Sequence, residues 1–355
     1  MSKNHEEHQS PNGEYNHTDY SDKMPDLIFR YDKDFYPDDY TLPDPQVDPI
    51  IPGAHVTIDK VGIAPVDLPI LSKRRDGDSP QVLQAQASLY CSLDDPHAKG
   101  LNLSRLYLLM HEAIKDQLSV DGISNALEEM AGKNGANHAY CKLRYKYPWT
   151  QKALRSRQPL TDAEREAGEY EMVEDGDHLQ KISLKKLEGH IAYDTTLEGR
   201  YIKSPDGTPI FKFYLTIVYV YSSTCPCSFE LARNAEELRG AAANAHSQRS
   251  RMETTIEFDL DNIIWIEDLV ELHRRIIPTE VQVVVKRRDE QAFAELNGSN
   301  LLFSEDAVRL MYEGLDEWFN EGRIHDFRIV TNHEESLHPW NAIALTSKGI
   351  KDGLR

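Results

Sequence analysis

The sequence is poor in cysteine and lacks a long apolar run. Four cysteines in 355 residues are too few and too scattered for a disulfide scaffold. No run of about 18 apolar residues is present, so a membrane-spanning helix is not expected. The chain starts with polar, His- and Glu-rich sequence, which is not typical of a secretory signal. We therefore expect a globular, cytoplasmic protein without a membrane partner.

Basic residues are in the minority. The chain has 40 Lys and Arg against 59 Asp and Glu, a formal net charge of −19. Nucleic acids and anionic membranes are recognised through basic surfaces, so we expect neither as the main partner. An anionic small molecule is compatible with this composition, because a few basic side chains can form a local pocket.

The chain divides into four segments by composition. Residues 1–50 are rich in Asp, Asn, His, Tyr and Pro with little apolar periodicity, which predicts a disordered N-terminal arm. Residues 55–148 predict a first module, and the strongly charged residues 149–178 predict a connector or insertion. Residues 179–350 predict a second module. The length suits two ordinary domains or one domain with an internal duplication.

The first module predicts the order strand, helix, helix, strand. Apolar residues alternate with polar ones over 81–93, which is typical of a half-buried strand. Ser104 is placed to cap a helix over 105–118. A second helix is predicted around 123–130, and a strand over 138–148 that ends at Pro148.

The second module repeats this mixture of strands and helices. A hairpin is predicted over 197–222, with its turn at Ser204-Pro205-Asp206-Gly207. Further elements follow in the order helix, strand, helix, strand, helix (capped by Ser304) and strand, over residues 229–240, 250–259, 263–276, 281–287, 304–321 and 324–334. The fold class is therefore α+β, with two halves that each combine antiparallel strands and a pair of helices.

Four polar clusters in the second half contain residue types that bind a catalytic zinc, namely Cys, His and Glu. They centre on Cys225 with Cys227, His246, Glu290, and Glu335 with His338. Each cluster taken alone also has a simpler explanation. A cysteine is often a small buried apolar residue, and a histidine often a hydrogen-bonded surface residue. The charge run around Glu290 is typical of a solvated face.

Seven ordered segments resemble one enzyme family. They are "IDKVGI", "KGLNLSRL", "CPCS", "AHSQRS", "VKRRDEQ", "FSEDAVR" and "ESLHPWNA", and they resemble the type IB GTP cyclohydrolases over about Ile58 to Ala344. The resemblance implies a bimodular tunnelling fold and a homotetramer with active sites at subunit interfaces. It also implies conversion of GTP to 7,8-dihydroneopterin triphosphate and formate, the first step of pterin and folate biosynthesis, with a divalent metal (Zn or Mn, or alternatively Fe).

The resemblance also implies roles for individual residues. Cys225, His246 and Glu290 correspond to the metal ligands. Glu335 and His338 correspond to residues that complete the site or transfer protons, so Cys225, Glu335 and His338 are the predicted catalytic residues. Glu305 is similar to the carboxylate that accepts hydrogen bonds from the N–H edge of guanine.

The triphosphate requires cations or helix-terminal donors. The predicted candidates are Lys99, Ser104, Arg105, Arg249 and Lys286, with Arg287 as an alternative to Lys286. Arg105 and Lys99 rank highest. Each of them could equally be a surface ion-pair residue.

Two positions depart from the family pattern. Asn102 and Trp340 stand where the family usually carries histidine, close to the predicted site. Two alternatives to the main interpretation therefore stay open. One is a related purine-nucleotide cyclohydrolase with a different substrate or pterin product, and the other is a non-catalytic purine-binding paralogue.

Overall fold

The computed structural model describes most of the chain after the N-terminal segment. The described residues are 51, 53–77, 80–175, 178–350 and 353–354. The disordered arm predicted for residues 1–50 lies outside them.

The described residues form strands β1 to β10 and helices α1 to α7. The strands are β1 Ile58–Ser72, β2 Gln81–Leu93, β3 His138–Arg157, β4 Tyr170–Asp175, β5 His178–Ser183, β6 Lys186–Lys203, β7 Pro209–Thr224, β8 Ser247–Phe258, β9 Asp326–His333 and β10 Ala342–Ser347. The helices are α1 Leu103–Ile114, α2 Val120–Asn134, α3 Asp162–Ala167, α4 Pro226–Arg239, α5 Ile266–Ile276, α6 Arg287–Ser299 and α7 Ser304–Asn320.

Within the described ranges, one large antiparallel sheet organises the molecule. Its eight strands lie in the order β1-β2-β3-β6-β7-β8-β9-β10. In sequence order, α1 and α2 lie between the second and third of the first four strands, and α5, α6 and α7 lie between the second and third of the last four. The order strand, strand, helices, strand, strand therefore occurs twice. This confirms the predicted α+β class, and the two antiparallel-sheet-plus-helix halves are those of the predicted tunnelling fold.

The residues predicted to form a charged connector, 149–178, are only partly irregular. β3 continues through the start of this segment and pairs with β6 from His138↔Ile202 to Arg157↔Lys186. The remainder contains α3 and β4, and β4 pairs with β5 in a separate two-stranded sheet. Because β6 pairs with β3, the repeat in element order divides the halves at the β6–β7 turn, Ser204–Thr208. The predicted module boundaries at 149 and 178 stay a prediction. The repeat in element order favours a boundary at the β6–β7 turn instead.

The core lies between the sheet and the helices. α1 turns Leu106, Met110 and Ile114 inward at helical spacing, and α7 does the same with residues such as Met311 and Leu315. These side chains join the strand residues in one continuous apolar cluster. At about 25 cal/mol per Å² of buried apolar surface, this cluster makes the largest favourable contribution to the free energy of folding.

Within the described residues, no helix has the length and apolarity needed to span a bilayer.

The predicted end of β3 at Pro148 is wrong. The strand runs on to Arg157, and Pro148 lies opposite Ala192 of β6. On its other side, β2 pairs with β3 only as far as the register Gln86↔Arg144. A proline in this position costs no ladder hydrogen bond when its nitrogen faces the unpaired side.

The strand predicted over 281–287 is also wrong. Glu280 makes an isolated bridge to Tyr221, and the amide of Val283 donates to the side chain of Gln151 instead of a strand. Arg287–Ser299 form α6, where no helix was predicted. The valine run has strand propensity, but its backbone bonds to the Gln151 side chain instead of joining a ladder, so tertiary context decides.

Both predicted serine caps are wrong. Asn102, not Ser104, is the residue before α1, and its side chain makes no capping hydrogen bond. Phe303 precedes α7 and its amide donates to Asp306. Ser304 is buried instead, with its hydroxyl 2.7 Å from the hydroxyl of Thr331 on β9. This contact holds the start of α7 against the end of β9.

Candidate functional site

Cys225 directly follows β7 and His246 directly precedes β8, and the two residues are neighbours. The last register pair of these strands is Thr224↔Ser247, so the two residues directly outside it are Cys225 and His246. The Cys225 amide donates to the His246 carbonyl at 3.3 Å, and the His246 amide donates to Ser228 Oγ at 3.1 Å. α4 forms most of the connection between the two strands. Residues that are 21 positions apart are therefore neighbours because of strand pairing.

Glu335 joins the same strand ends from β9. β8 and β9 pair at Ser250↔His333, and the Glu334 amide donates to the Arg249 carbonyl at 3.1 Å. The next residue, Glu335, has its Oε2 atom 3.8 Å from His246 Nδ1, and both side chains are mostly buried, with 14% and 18% of their surface exposed. The backbone of Cys225 and the side chains of His246 and Glu335 thus lie at one end of the sheet.

A buried polar cluster lies beneath these residues. His246 Nδ1 is 3.0 Å from Gln248 Oε1, and Gln248 Nε2 donates to Ser223 Oγ at 2.8 Å. Ser223 Oγ also lies 2.8 Å from Ser250 Oγ and 3.2 Å from His333 Nδ1. Buried polar groups require such partners, so the cluster fixes the side chains that support His246.

His333 ends this cluster beside α7. Its Nε2 atom lies 2.8 Å from the hydroxyl of Tyr221. Burial lowers the pKa of His333 from 6.5 to about 4, and the Glu305 carboxylate partly opposes this shift. The ring is therefore neutral near pH 7, and Glu305 lies close enough to influence it.

Glu305 is exposed at the start of α7, beside the edge strand β10. It lines a shallow groove between α7 and β10 together with residues that include Arg309, Tyr312 and Leu345. The Ser304–Thr331 contact sets this helix start at the same end of the sheet as Cys225 and His246. An exposed carboxylate on a rigid helix can accept two hydrogen bonds from a planar N–H edge.

His338 and Trp340 are exposed and lie in the connection between β9 and β10. Their rings stack with centroids 4.6 Å apart and planes inclined by 9°. Trp340, one of the two departures from the family pattern, therefore covers one face of the predicted proton-transfer histidine. The stack limits the orientations that the His338 ring can adopt.

Glu290 and Lys286 are exposed at the start of α6. The neighbouring Asp289 anchors this helix start, because its carboxylate accepts the amides of Arg155 and Ser156 at 2.7 and 2.9 Å. Among the described hydrogen bonds and ion pairs, none joins Glu290 to Cys225 or His246. Within the described residues, Glu290 does not form a metal-binding group with Cys225 and His246.

Lys99, Ser104 and Arg105 lie at the opposite end of the sheet. They follow β2, whose last residue Leu93 pairs with Ile58. The Arg105 guanidinium donates to the Lys133 carbonyl at 3.0 Å, and Lys99 also has a partner. β7 spans the sheet from this end to the Cys225 end over 16 residues, which corresponds to about 50 Å.

Arg249 differs from the other phosphate candidates. It is exposed on β8, three residues after His246, and lies opposite Ser222. It therefore lies at the same strand ends as Cys225, unlike Lys99 and Arg105.

The ligand set for a metal is incomplete in one chain. Cys225 and His246 supply two donor types that bind zinc, and Glu335 lies against His246. Within the part of the chain that the structure describes, no group of three or more His, Cys, Asp or Glu side chains is arranged to hold a metal ion. The set Cys225, His246 and Glu290 stays a prediction.

Ser223, Gln248 and His333 support the site and were not predicted from the sequence. A signal was present in β8, where inward positions alternate and Gln248 and Ser250 occupy two of them. A glutamine at a core position of a strand indicates a buried hydrogen-bond partner, although the partner cannot be read from the spacing.

The family of the chain follows from its match to a family model. The model described as type I GTP cyclohydrolase folE2 matches residues 42–176 and 164–344. The chain belongs to this family. GTP cyclohydrolase FolE2 of Ruegeria sp. (strain TM1040) is 36% identical over 332 residues, covering 92% of this chain and 80% of the relative. GTP cyclohydrolase FolE2 of Paracoccus denitrificans (strain Pd 1222) is 36% identical over 330 residues, covering 92% and 90%.

Solved structures that resemble this FolE2-family chain are distant in sequence. A uricase from Arthrobacter globiformis has a TM-score of 0.45 and 7% identity, covering 86% of this chain and 96% of that chain. A urate oxidase from Bacillus sp. TB-90 has a TM-score of 0.44 and 9% identity, covering 82% and 99%. No functional inference follows from these likenesses.

Proposed function

We propose that the chain hydrolyses GTP to 7,8-dihydroneopterin triphosphate and formate, as a type IB GTP cyclohydrolase at the first step of pterin and folate biosynthesis. The observation that carries this proposal is the convergence of Cys225, His246 and Glu335 at three adjacent strand ends. Membership of the FolE2 family, whose curated relatives are named GTP cyclohydrolases, supports the substrate.

In this proposal a divalent metal, Zn, Mn or Fe, is held by Cys225 and His246, with the third donor supplied by Glu290 or Glu335. A divalent metal lowers the pKa of a bound water from about 16 to about 7 and so supplies hydroxide at neutral pH. In this proposal one water would add to C8 of the guanine and open the imidazole ring to a formamide, and a second water would cleave the formamide to formate and a free amine. The ribose carbons then rearrange and close the pterin ring.

The protein side chains orient the substrate and move protons. Glu305 accepts hydrogen bonds from the N–H edge of guanine. Glu335 and His338 donate and accept protons during ring opening, as general acid and base. Arg249 lies at the same strand ends as Cys225 and His246, and in this proposal it contacts a phosphate of GTP.

We further propose that the active site is shared between subunits of a homo-oligomer, a tetramer in the first instance. The support is the separation within one chain. Lys99 and Arg105 follow the end of β2, at the end of the sheet opposite to Cys225, and β7 runs between these two ends over 16 residues, about 50 Å when fully extended. If these cations bind the triphosphate of the same GTP, they come from another subunit. Glu290, which is not grouped with Cys225 and His246 as a metal-binding set in the described residues, would then complete the metal site from another subunit.

The experiment is an assay of purified protein with GTP and either Mn²⁺ or Zn²⁺. We expect equal amounts of formate and, after oxidation, a fluorescent neopterin derivative. Formate without the pterin would favour a cyclohydrolase with another product, for which the Trp340 stack on His338 gives a structural reason. GTP binding without turnover in either metal would contradict the enzyme assignment.

The variants Cys225→Ser and Cys227→Ser form a matched pair for this assay. Cys225 precedes α4 and contacts His246, whereas Cys227 is exposed two residues later. We expect the first substitution to abolish formate release and the second to preserve it. Equal activity of the two variants would contradict the role of Cys225.

A further inference from the structure

The Nδ1 side of the His246 ring faces two hydrogen-bond acceptors. Gln248 Oε1 lies 3.0 Å from Nδ1, and Glu335 Oε2 lies 3.8 Å from it. A carboxylate oxygen attracts an N–H and repels a nitrogen lone pair, so this surrounding favours a proton on Nδ1. His246 Nδ1–H then donates to Gln248 Oε1.

The Gln248 amide links His246 to a buried serine. Its Nε2 donates to Ser223 Oγ at 2.8 Å, and Ser223 is fully buried between Ser250 and His333. If the amide were rotated by half a turn, its NH₂ group would face the protonated Nδ1. Both groups are donors, so no hydrogen bond would form between them. Gln248 itself is only 6% exposed, so water does not easily replace either hydrogen bond.

The main-chain contact of His246 completes this support. The His246 amide donates to Ser228 Oγ at 3.1 Å. Among the described hydrogen bonds, none involves Nε2 of His246. One ring nitrogen is therefore held by the protein, and the other keeps a lone pair that a ligand can use.

We propose that Gln248 is a positioning residue that keeps the His246 proton on Nδ1 and so presents the unprotonated Nε2 to the ligand. The inference deepens the proposed function and rests on it, because His246 is a proposed metal ligand there. A hydrogen bond from the second ring nitrogen of a metal-binding histidine sets both ring orientation and tautomer, and its loss weakens metal binding by about 10- to 100-fold.

The first test reads the tautomer in metal-free protein. Histidines are labelled with ¹⁵N, and the His246 signal is assigned by its loss in His246→Ala. We expect the wild type to carry its proton on Nδ1 and Gln248→Leu to show a mixture of the two tautomers. A proton on Nε2 in the wild type, or an unchanged tautomer in Gln248→Leu, would overturn the inference.

The second test measures Mn²⁺ and Zn²⁺ affinity by titration calorimetry. Gln248→Leu should bind about 10- to 100-fold more weakly than the wild type. Gln248→Glu keeps an acceptor for Nδ1–H and can accept the Ser223 hydroxyl proton, so its affinity should stay within a few-fold of the wild type. Equal losses in both variants would indicate a purely structural role and would contradict the inference.

Thr216→Val is the matched control for a polar substitution between the same two strands. The Thr216 hydroxyl lies 2.8 Å from that of Thr255 across β7 and β8, far from the Cys225 end. We expect it to change neither the tautomer nor the metal affinity. If Cys225→Ser leaves the metal affinity intact, the proposed metal site fails, while the tautomer measurement still decides the role of Gln248.

Discussion

The buried His273 is expected to make folding sensitive to mild acid. It is inaccessible to solvent between α5 and β8. Its Nδ1–H donates to the Leu269 carbonyl at 2.7 Å, and its Nε2 accepts from the Thr254 hydroxyl at 2.9 Å. Burial lowers its pKa from 6.5 to about 4, because protonation would place a charge in the core and remove the acceptor that Thr254 uses.

The direction of the pH effect on stability follows from the difference between the pKa of His273 in the folded chain, about 4, and its ordinary value of 6.5. Above pH 6.5 the ring is neutral in both the folded and unfolded chain, and the contribution to stability is complete. As the pH falls from 6.5 towards 4, the unfolded chain takes up a proton that the folded chain does not. At pH 5 this linkage removes about 2 kcal/mol, a large share of the 5–15 kcal/mol typical of a folded protein.

The substitution His273→Gln removes the pH-dependent contribution of His273 to the free energy of unfolding. An amide does not titrate, so the free energy of unfolding should fall between pH 7 and pH 5 by about 2 kcal/mol less in the variant than in the wild type. Urea unfolding followed by tryptophan fluorescence, at one protein concentration and several pH values, measures the difference. Lower absolute stability of the variant does not affect this comparison.

His190→Gln is the control, because His190 is exposed and hydrated in both states. We expect its pH dependence to match that of the wild type. If His273→Gln and the wild type lose stability in parallel between pH 7 and pH 5, the reasoning from burial of His273 is refuted.

Three further predictions concern the site and its support. Glu305→Gln should lower kcat/KM for GTP by about 10- to 100-fold, since one guanine donor loses a charged acceptor; steady-state kinetics measure this. A chelator should abolish formate release, added Mn²⁺ or Zn²⁺ should restore it, and Cys225→Ser should not respond to added metal. Gly314→Ala should lower the free energy of unfolding by about 1–3 kcal/mol, because its Cβ would lie 2.5 Å from Ile276 Cδ1 between α7 and α5; thermal unfolding measures this.

Each of these predictions has a control or a result that contradicts it. Glu313→Gln, elsewhere on α7, should leave kcat/KM unchanged, and equal effects of both substitutions would refute the guanine contact. Full activity in the presence of a chelator would refute the metal. Gly298→Ala is the glycine control, since an added Cβ there meets nothing within 4 Å. Similar stabilities of the two alanine variants would contradict the packing argument.

Local sequence patterns predicted the elements that depend on local physics. The alternation over Gln81–Leu93 gives β2 directly, and the apolar spacing after Asn102 gives α1. The turn chemistry of Ser204 to Gly207 gives the β6–β7 hairpin. The valine run 281–287 failed, because strand formation requires a neighbour with free hydrogen-bonding groups, and the sequence does not show which neighbours exist.

The site was predicted in residue type but not in arrangement. Cys225 and His246 become neighbours because β7 and β8 pair in the register Thr224↔Ser247, and Glu335 joins them because β9 pairs with β8. Resemblance to a family identified these residues, whereas spacing did not. Gln248 was missed because its importance depends on Ser223, a residue of another strand.

The sequence by itself determined the family, the α+β class and the residue types available for chemistry. These depend on local periodicity and on motifs that can be read along the chain. Only the tertiary structure decided that Cys225, His246 and Glu335 share one end of the sheet, and that Lys99 and Arg105 occupy the other. The physical reason is that strand register, which is a long-range property of hydrogen bonding, sets which ends meet.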